Sequence, residues 1–219
     1  VFVVTTAPTF PQVRAILWRY IGQAHRKGKL AGRVTQTEWH IGEDLVGYGR
    51  KPSDYDENGF QGIHASKVLV IVDEACGIPA ALWTAIETLV TNDDCRILAI
   101  GNPDNPDSRF AEMCKPDSGW NVITVSVFDS PNFTGESVSP KLARNLVGHT
   151  YVDDAVKNWG KDSPLYISKV LGEFPAQTAD GLVPVGALNA AKAREGEAGK
   201  PVELGVDVAR FGTASTTIY

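Results

Sequence analysis

Two adjacent carboxylates, Asp73 and Glu74, directly follow the apolar run VLVIV at residues 68–72. Such a run is typical of a buried strand, and where a strand ends, successive side chains can reach the same crevice. One carboxylate suffices to bind Mg²⁺ beside phosphates, because the ion keeps several water ligands. The other can orient or deprotonate an attacking water. The pair therefore predicts nucleotide hydrolysis, with a buried strand that simply ends in acids as the alternative.

Nucleotide hydrolysis also needs a loop that holds the phosphates, of the form G-x-x-x-x-G-K-[ST]. The stretch Gly22–Leu30 has one intervening residue too many and ends in leucine where a hydroxyl should bind Mg²⁺. The stretch Gly196–Pro201 is too short and ends in proline. Neither can cradle a triphosphate, so we expect the loop of a nucleotide-binding protein to lie upstream of Val1.

A second polar strand end is the tripeptide Gly101-Asn102-Pro103, which follows the apolar run CRILAI at residues 95–100. If both runs are neighbouring parallel strands, Asn102 faces the same crevice as the acids and can sense a terminal phosphate. Gly-Asn-Pro is also excellent turn chemistry, and taken alone it indicates no more than the end of a strand.

Positive charge is concentrated at the beginning of the chain. Residues 1–37 hold six of the 21 Lys and Arg residues and none of the 26 acids, against a net charge of −5 for the whole chain. The six are Arg14, Arg19, Arg26, Lys27, Lys29 and Arg33. A basic segment of this kind can meet phosphates, but composition alone favours a solvated helix face and loop.

The first half of the chain reads as alternating strands and helices. A strand is predicted over Val1–Thr6, and a helix after Thr9, which has capping-box spacing to Gln12. RVTQTEWHIGEDLVGYGR predicts strand, turn and strand, and the polar KPSDYDENGFQGIHAS predicts a loop. After the acids, Pro79 is expected to open a helix.

Further along, CRILAI predicts a second buried strand and NVITVSVF, at residues 121–128, a third. Residues 139–172 have helical patterns throughout. Strands separated by helices indicate α/β layering with a largely parallel sheet. GEFPAQTADGLVPVG then resembles a connector, and VELGVDVARFG predicts a strand that begins a hairpin into TTIY. A domain boundary is therefore expected between about residues 175 and 200.

Asp207 interrupts this later strand, between Val206 and Val208. A buried acid is costly unless it is paired or bound to a metal, so the position is a candidate metal ligand. A structural aspartate with satisfied hydrogen bonds explains the same pattern equally well.

Composition excludes several classes of protein. No apolar run approaches the length of a membrane span, and the first residues, VFVVTT, lack the basic n-region of a signal peptide. The three cysteines have no C-x-x-C spacing and the four histidines are scattered, so packing cysteines in a reduced cytoplasm are expected, and a zinc site is not. The single Met is Met113 and both ends lie in strand-like runs, so we expect a piece of a longer protein.

Five segments in order resemble the large subunit of tailed-bacteriophage terminases: TTAPTFPQVRAILW, VLVIVDEACGIP, ILAIGNPDNP, KVLGEFP and LGVDVARFG. The resemblance implies a P-loop NTPase-like ATPase domain that drives double-stranded DNA into a capsid. It also implies the first strand of an RNase H-like nuclease that cuts the genome concatemer. The corresponding division is 1–175 for a partial ATPase domain, 176–201 for a linker region and 202–219 for the start of the nuclease.

The resemblance also implies roles for individual residues. Asp73 would bind the Mg²⁺ of ATP through water, Glu74 would polarise the hydrolytic water, and Asn102 would belong to the motif that couples hydrolysis to movement. Asp207 would be the first nuclease ligand for Mg²⁺ or Mn²⁺. Relatives often carry a further acid where this chain has Thr213, Ala214 and Ser215, so an early second carboxylate is not indicated.

Partners are likewise implied by the resemblance: DNA, a terminase small subunit, a capsid portal and a homo-oligomeric ring in the bacterial cytoplasm. DNA phosphates would be met by Arg26, Lys27, Lys29 and Arg33, unless one arginine reaches a neighbouring subunit's nucleotide. Two alternatives remain open. A DExx-type helicase fits the acids but not GNP, and a non-catalytic prophage remnant fits the missing phosphate loop.

Overall fold

The structure is a computed structural model in which two compact units, Val1–Pro184 and Val185–Tyr219, can be distinguished. It describes residues 1–53, 60, 63, 65–177, 190, 191 and 193, and the backbone of residues 206–207 and 217–218. Much of the predicted loop KPSDYDENGFQGIHAS and most of the predicted connector lie outside these residues.

The first unit is built on a six-stranded sheet in the order β2-β3-β4-β1-β5-β6. Strands β4, β1, β5 and β6 run parallel to one another, and β2, β3 and β4 form an antiparallel meander at one side. The predicted α/β class and mostly parallel sheet are therefore confirmed. The strands are β1 Phe2–Thr6, β2 Arg33–Val34, β3 Glu38–Ile41, β4 Asp44–Gly49, β5 Val68–Val72 and β6 Arg96–Ala99.

The helices are mostly short. They are α1 Trp18–Gly28, α2 Ala80–Glu87, α3 Arg109–Met113, α4 Pro131–Thr134, α5 Pro140–Ala143, α6 His149–Trp159 and α7 Pro164–Tyr166. Single turns of 3₁₀ helix lie at Ala75–Gly77 and Val127–Asp129, and π-helical turns at Gln12–Leu17 and Ile167–Leu171. The helical character predicted for residues 139–172 is confirmed, as is a helix that Pro79 caps.

One face of the sheet packs against α2 to form the main core. Val4, Val70 and Val72 are completely buried beside Leu82 and Ile86 of that helix. The register aligns Val4 with Val70, so the buried side chains of neighbouring strands form continuous rows. The valines of these strands thus fill the face of the sheet that α2 covers, in line with the strand propensity of β-branched residues.

The opposite face of β1 carries the first helix. Thr9 and Gln12 form the predicted cap: the Thr9 N–H donates to Gln12 Oε1 (2.9 Å), and the Gln12 N–H to Thr9 Oγ1 (3.4 Å). A π-helical turn then leads into α1, where buried Trp18 donates from Nε1 to Thr5 Oγ1 at 2.7 Å. A Cβ at Gly49 would lie 2.2 Å from Trp18 Nε1, so only glycine admits the indole here.

The prediction that CRILAI forms a buried strand is wrong in one respect. β6 is a strand, but it is the last strand of the described sheet, and both Leu98 within it and Ile100 directly after it are exposed. A run of apolar residues predicts a strand whose faces are covered, and no described element covers the outer face of this one.

The prediction of a third strand at NVITVSVF is also wrong. Residues 121–126 have no regular secondary structure, and Val127–Asp129 forms a 3₁₀ turn. Ser126 begins that turn as a capping box: its Oγ accepts from the Phe128 N–H, and its own N–H donates to Asp129. Strand propensity is expressed only where a neighbouring strand offers a ladder, and no described strand lies beside this segment.

In the second unit, β7 Val206–Asp207 pairs antiparallel with β8 Thr217–Ile218. The predicted hairpin is confirmed, with Asp207 opposite Thr217.

The Trp18–Thr5 hydrogen bond should be measurable in a double-mutant cycle. Trp18→Phe removes the donor to Thr5 Oγ1, and Thr5→Val leaves the buried Trp18 N–H without an acceptor, so each should lower the free energy of unfolding by about 1–3 kcal/mol. The double variant removes both groups and should recover about 1 kcal/mol relative to additivity in urea denaturation. Strictly additive effects would show that the bond does not stabilise the attachment of the first helix.

Candidate functional site

The carboxyl ends of β1, β5 and β6 are joined by backbone hydrogen bonds. The Asp73 N–H donates to Thr6 O, the Ile100 N–H to Val72 O, and the Ala75 N–H to Ile100 O, each at 2.9 Å. Three parallel strands therefore end together, and the crevice beyond such ends is where open α/β sheets bind ligands.

Asp73 and Glu74 form the turn at this edge. Asp73 is half-buried and Glu74 is exposed. Glu74 has φ 49° and ψ 47°, the left-handed region that few residues other than glycine adopt, and its N–H donates to Asp73 Oδ1 at 3.1 Å. Neither Asp73 Oδ2 nor the Glu74 carboxylate bonds to any described side chain. Both groups remain available to a ligand.

Gly101 packs directly against that turn. A Cβ built on Gly101 would lie 2.8 Å from the Ala75 nitrogen and 3.3 Å from the Cys76 nitrogen. Only glycine allows the two strand ends to approach this closely. Asn102, the next residue, is exposed at the same edge, whereas Pro103 is buried. The structure thus brings Gly101-Asn102-Pro103 against the acidic turn, and the glycine has a packing role that sequence reasoning attributed only to a turn.

Sequence reasoning also missed how the acidic turn is tied to the loop after Pro103. Cys76 Sγ accepts from the Asn105 N–H at 3.2 Å and lies 3.5 Å from Ser108 Oγ. Ser108 in turn caps α3, its Oγ accepting from the Ala111 N–H at 3.1 Å. Burial raises the pKa of Cys114, with a smaller contribution from nearby Cys76, and so disfavours the thiolate form of its side chain.

Thr6 is a further polar residue at this edge. It is fully buried at the end of β1, opposite Val72, and its Oγ1 has no hydrogen-bond partner among the described residues. In the sequence, the feature that points to this residue is the pair Thr5-Thr6 at the end of the first predicted strand. Such an unpaired buried hydroxyl is uncommon, and it belongs to the same residue whose carbonyl accepts from the Asp73 N–H.

The site can be tested for its fit to a metal ion. No group of three or more His, Cys, Asp or Glu side chains within the described residues is arranged to hold one. Two free carboxylates at strand ends nevertheless suit hydrated Mg²⁺, which takes one or two protein oxygens and leaves the remaining positions to water and phosphate. The two carboxylates thus fit a hydrated Mg²⁺ ion that takes most of its ligands from water and phosphate.

The basic residues predicted to contact nucleic acid lie on a different part of the unit. Arg26 and Lys27 belong to the last turn of α1, Lys29 caps it with φ 49°, and Arg33 lies in β2. All four are exposed, and none forms an ion pair with another described residue. Three of these cations also interact favourably with the carboxyl end of the helix, which is a structural reason for their presence.

Beside α1 lies a groove of about 520 Å³ whose lining includes Trp18 and the basic residues Arg14, Arg19 and Arg26. For Asp207, only the backbone position in β7 is described, and Thr213, Ala214 and Ser215 lie outside the described residues.

In the described parts of the chain no helix has the length and apolar character needed to cross a membrane.

The geometry defines an α/β protein with acidic and amide side chains at the carboxyl ends of parallel strands. Over 136 residues the chain is 29% identical to a protein described as a probable terminase, large subunit, of Enterobacteria phage P7. The match covers 58% of this chain and 25% of that relative's length, so the chain spans only a minor part of it. No family model matches the chain. The resemblance to terminase large subunits noted in the sequence is thus supported by an independent match.

The close packing at Gly101 leads to a stability prediction. Gly101→Ala should lower the free energy of unfolding by about 1–3 kcal/mol, because the added methyl group meets backbone atoms that cannot rotate away. Gly148→Ala is the matched control, since a Cβ there meets nothing within 4 Å and its φ of −101° is open to alanine. Chemical denaturation measures both, and equal effects would contradict the packing role of Gly101.

Proposed function

We propose that this chain is part of a terminase large subunit, in which ATP hydrolysis drives double-stranded DNA into a capsid. The observation that carries the proposal is the acidic turn Asp73-Glu74, packed against Gly101 at the carboxyl ends of parallel strands. The match to a probable terminase large subunit supports the same conclusion. The fold proposed for this unit is that of a P-loop NTPase.

Each residue of the turn has a role in the proposed reaction. Asp73 would hold Mg²⁺ through water, with the carboxylate oxygen that the Glu74 N–H leaves free. Bound with ATP, the ion supplies positive charge against the phosphates. Glu74 would orient the attacking water and accept its proton, since its carboxylate is exposed and unpaired among the described residues. The left-handed backbone at Glu74 turns the chain away from the strand direction at this residue.

Asn102 would contact the terminal phosphate, and its displacement on hydrolysis would be transmitted to neighbouring elements. Gly101 is in backbone contact with the turn, so a displacement at either strand end must move the other. The movement can reach α3 through Cys76, Asn105 and Ser108, and Ile167–Leu171 through the Lys169–Asp104 ion pair at 2.8 Å. These contacts are the route proposed for coupling hydrolysis to motion.

The remaining assignments follow from the terminase proposal. Residues 1–175 would belong to the ATPase domain and 176–201 to a linker. Residues 202–219 would begin an RNase H-like endonuclease, with Asp207 as a ligand of Mg²⁺ or Mn²⁺. A small subunit, a capsid portal and further copies in a ring would be the protein partners. Arg26, Lys27, Lys29 and Arg33 would contact DNA phosphates without reading sequence.

The catalytic role of Glu74 is tested in a full-length protein that contains this chain. Glu74→Gln should lower the rate of ATP hydrolysis about 10²–10⁴-fold, because the amide cannot accept a proton. Asp117→Asn, an exposed acid outside the site, should leave the rate unchanged. The 219-residue chain alone should not hydrolyse ATP, since it contains no phosphate loop. A near-normal rate for Glu74→Gln would remove the proposed base.

Contact with DNA is tested through its salt dependence. Replacing Arg26, Lys27, Lys29 and Arg33 by Gln should weaken binding to any duplex. It should also reduce the slope of log K against log[salt] by about 0.9 for each residue that contacts a phosphate. A control with equal charge change replaces the exposed bases Lys115, Lys141, Arg144 and Lys157. Equal slopes for both variants would assign the four residues to a solvated face.

A further inference from the structure

The groove beside α1 has an apolar floor. Trp18 lines it, and because the indole Nε1 already donates to Thr5 Oγ1 at 2.7 Å, the ring offers only carbon atoms to a ligand. Phe10 and Val34 also line the groove, and Phe10 is 45% exposed. Gly22 leaves the floor open, since a Cβ at this position would come within 3.9 Å of Val34 Cγ1. A large apolar side chain from a partner therefore finds carbon atoms to pack against.

Three arginines line the same groove, namely Arg14, Arg19 and Arg26. All three are exposed, and none forms an ion pair with another described residue. The Arg19 guanidinium lies 5.0 Å from the ring centroid of Tyr20, a cation–π contact that helps to fix its position. The planar fork of a guanidinium matches a carboxylate with two parallel hydrogen bonds. The groove therefore combines an apolar floor with cations suited to carboxylates.

The described part of this chain supplies no carboxylate to these arginines. Residues 1–37 contain no acid, and the first one after them, Glu38, bonds to His40 at 3.0 Å. Elsewhere arginine is matched within the fold, as where Arg109 pairs with Glu87 at 3.1 Å and with Glu112 at 2.8 Å. Charge complementarity therefore requires an occupant that brings its own negative charge.

The dimensions of the groove favour a peptide segment. Arg14 and Arg26 are 12 residues apart in sequence, a distance of roughly 18 Å along a helix. About five residues of extended chain have the same length. A single small anion meets only one of the arginines, and a DNA duplex is too broad to enter a groove of about 520 Å³.

We propose that this groove binds an acidic segment of a partner protein. One large apolar side chain of the segment packs on Trp18 and Val34, and carboxylates on either side of it pair with the arginines. The apolar anchor supplies most of the affinity, and the charges supply orientation and rate of association. The proposal is independent of the function proposed for the acidic turn, because it uses no residue of that turn.

A fluorescent probe peptide, Asp-Glu-Leu-Phe-Asp-Glu, tests the groove in anisotropy titrations with the 219-residue chain. One control peptide has Ser in place of Leu and Phe, and the other has Asn and Gln in place of the acids. Each control removes one half of the proposed recognition and should bind at least about tenfold more weakly than the probe. Failure of the probe to bind, or equal binding of all three peptides, overturns the proposal.

Charge variants locate the binding. Arg14→Gln combined with Arg19→Gln should weaken binding of the probe about tenfold, because both cations line the groove. Lys141→Gln combined with Arg144→Gln removes the same charge from exposed positions outside it and should leave binding unchanged. Equal losses in the two variants would show a nonspecific response to net charge and contradict the assignment.

A shape variant tests the floor without changing charge. Gly22→Leu places a side chain in the groove and should weaken binding about tenfold, whereas Gly22→Ala adds only a methyl group that the site admits and should retain it. Alanine and leucine are better helix formers than glycine, so thermal unfolding should show both variants folded. Undiminished binding by a folded Gly22→Leu variant overturns the proposal.

Two other occupants give different results in the same variants. If Arg14→Gln with Arg19→Gln weakens binding to a DNA duplex and not to the probe, the groove contacts DNA. If the 219-residue chain forms dimers in sedimentation velocity that this variant abolishes, while probe binding is unaffected, the occupant is a second copy. Either result overturns the assignment to an acidic partner segment.

Discussion

The backbone contact between Gly101 and the turn after β5 is the constraint on which the site depends. The Ala75 N–H donates to Ile100 O at 2.9 Å, and the absent side chain of Gly101 leaves room for that approach. A left-handed residue such as Glu74 costs roughly 1 kcal/mol and persists only where its surroundings hold it. The hydrogen bonds on both sides of the turn offset that cost. The position of the acids is therefore fixed by two strands, β5 and β6, and not by β5 alone.

Elements defined by local patterns could be predicted from the sequence. The strand Val68–Val72, the Thr9–Gln12 cap and the helix after Pro79 each depend on residues within one turn or one strand of one another. The burial of β6 and the state of residues 121–126 could not be predicted, because both depend on neighbours that are distant in sequence. An apolar pattern indicates strand propensity, but it does not state whether a ladder partner lies beside the segment.

The same division applies to the candidate site. Asp73, Glu74 and Asn102 were expected to converge because the carboxyl ends of parallel strands share one edge, and the hydrogen bonds between strand ends fit that expectation. The left-handed backbone of Glu74, the contact of Cys76 with Asn105 and the unpaired Thr6 hydroxyl were not foreseen. Each depends on distances of a few ångströms between segments far apart in sequence, which residue types and spacing do not encode.

The unpaired carboxylates and the unpaired strand edge are related features. Asp73 and Glu74 lie at the end of β5, and the open edge belongs to β6, which pairs with it directly. Exposed strand edges and polar groups without partners both favour added contacts, since a protein leaves few such groups unsatisfied where water is excluded. The pairing of β5 with β6 therefore places the acids and the open edge on neighbouring strands, where a ligand held at one strand end can affect the other.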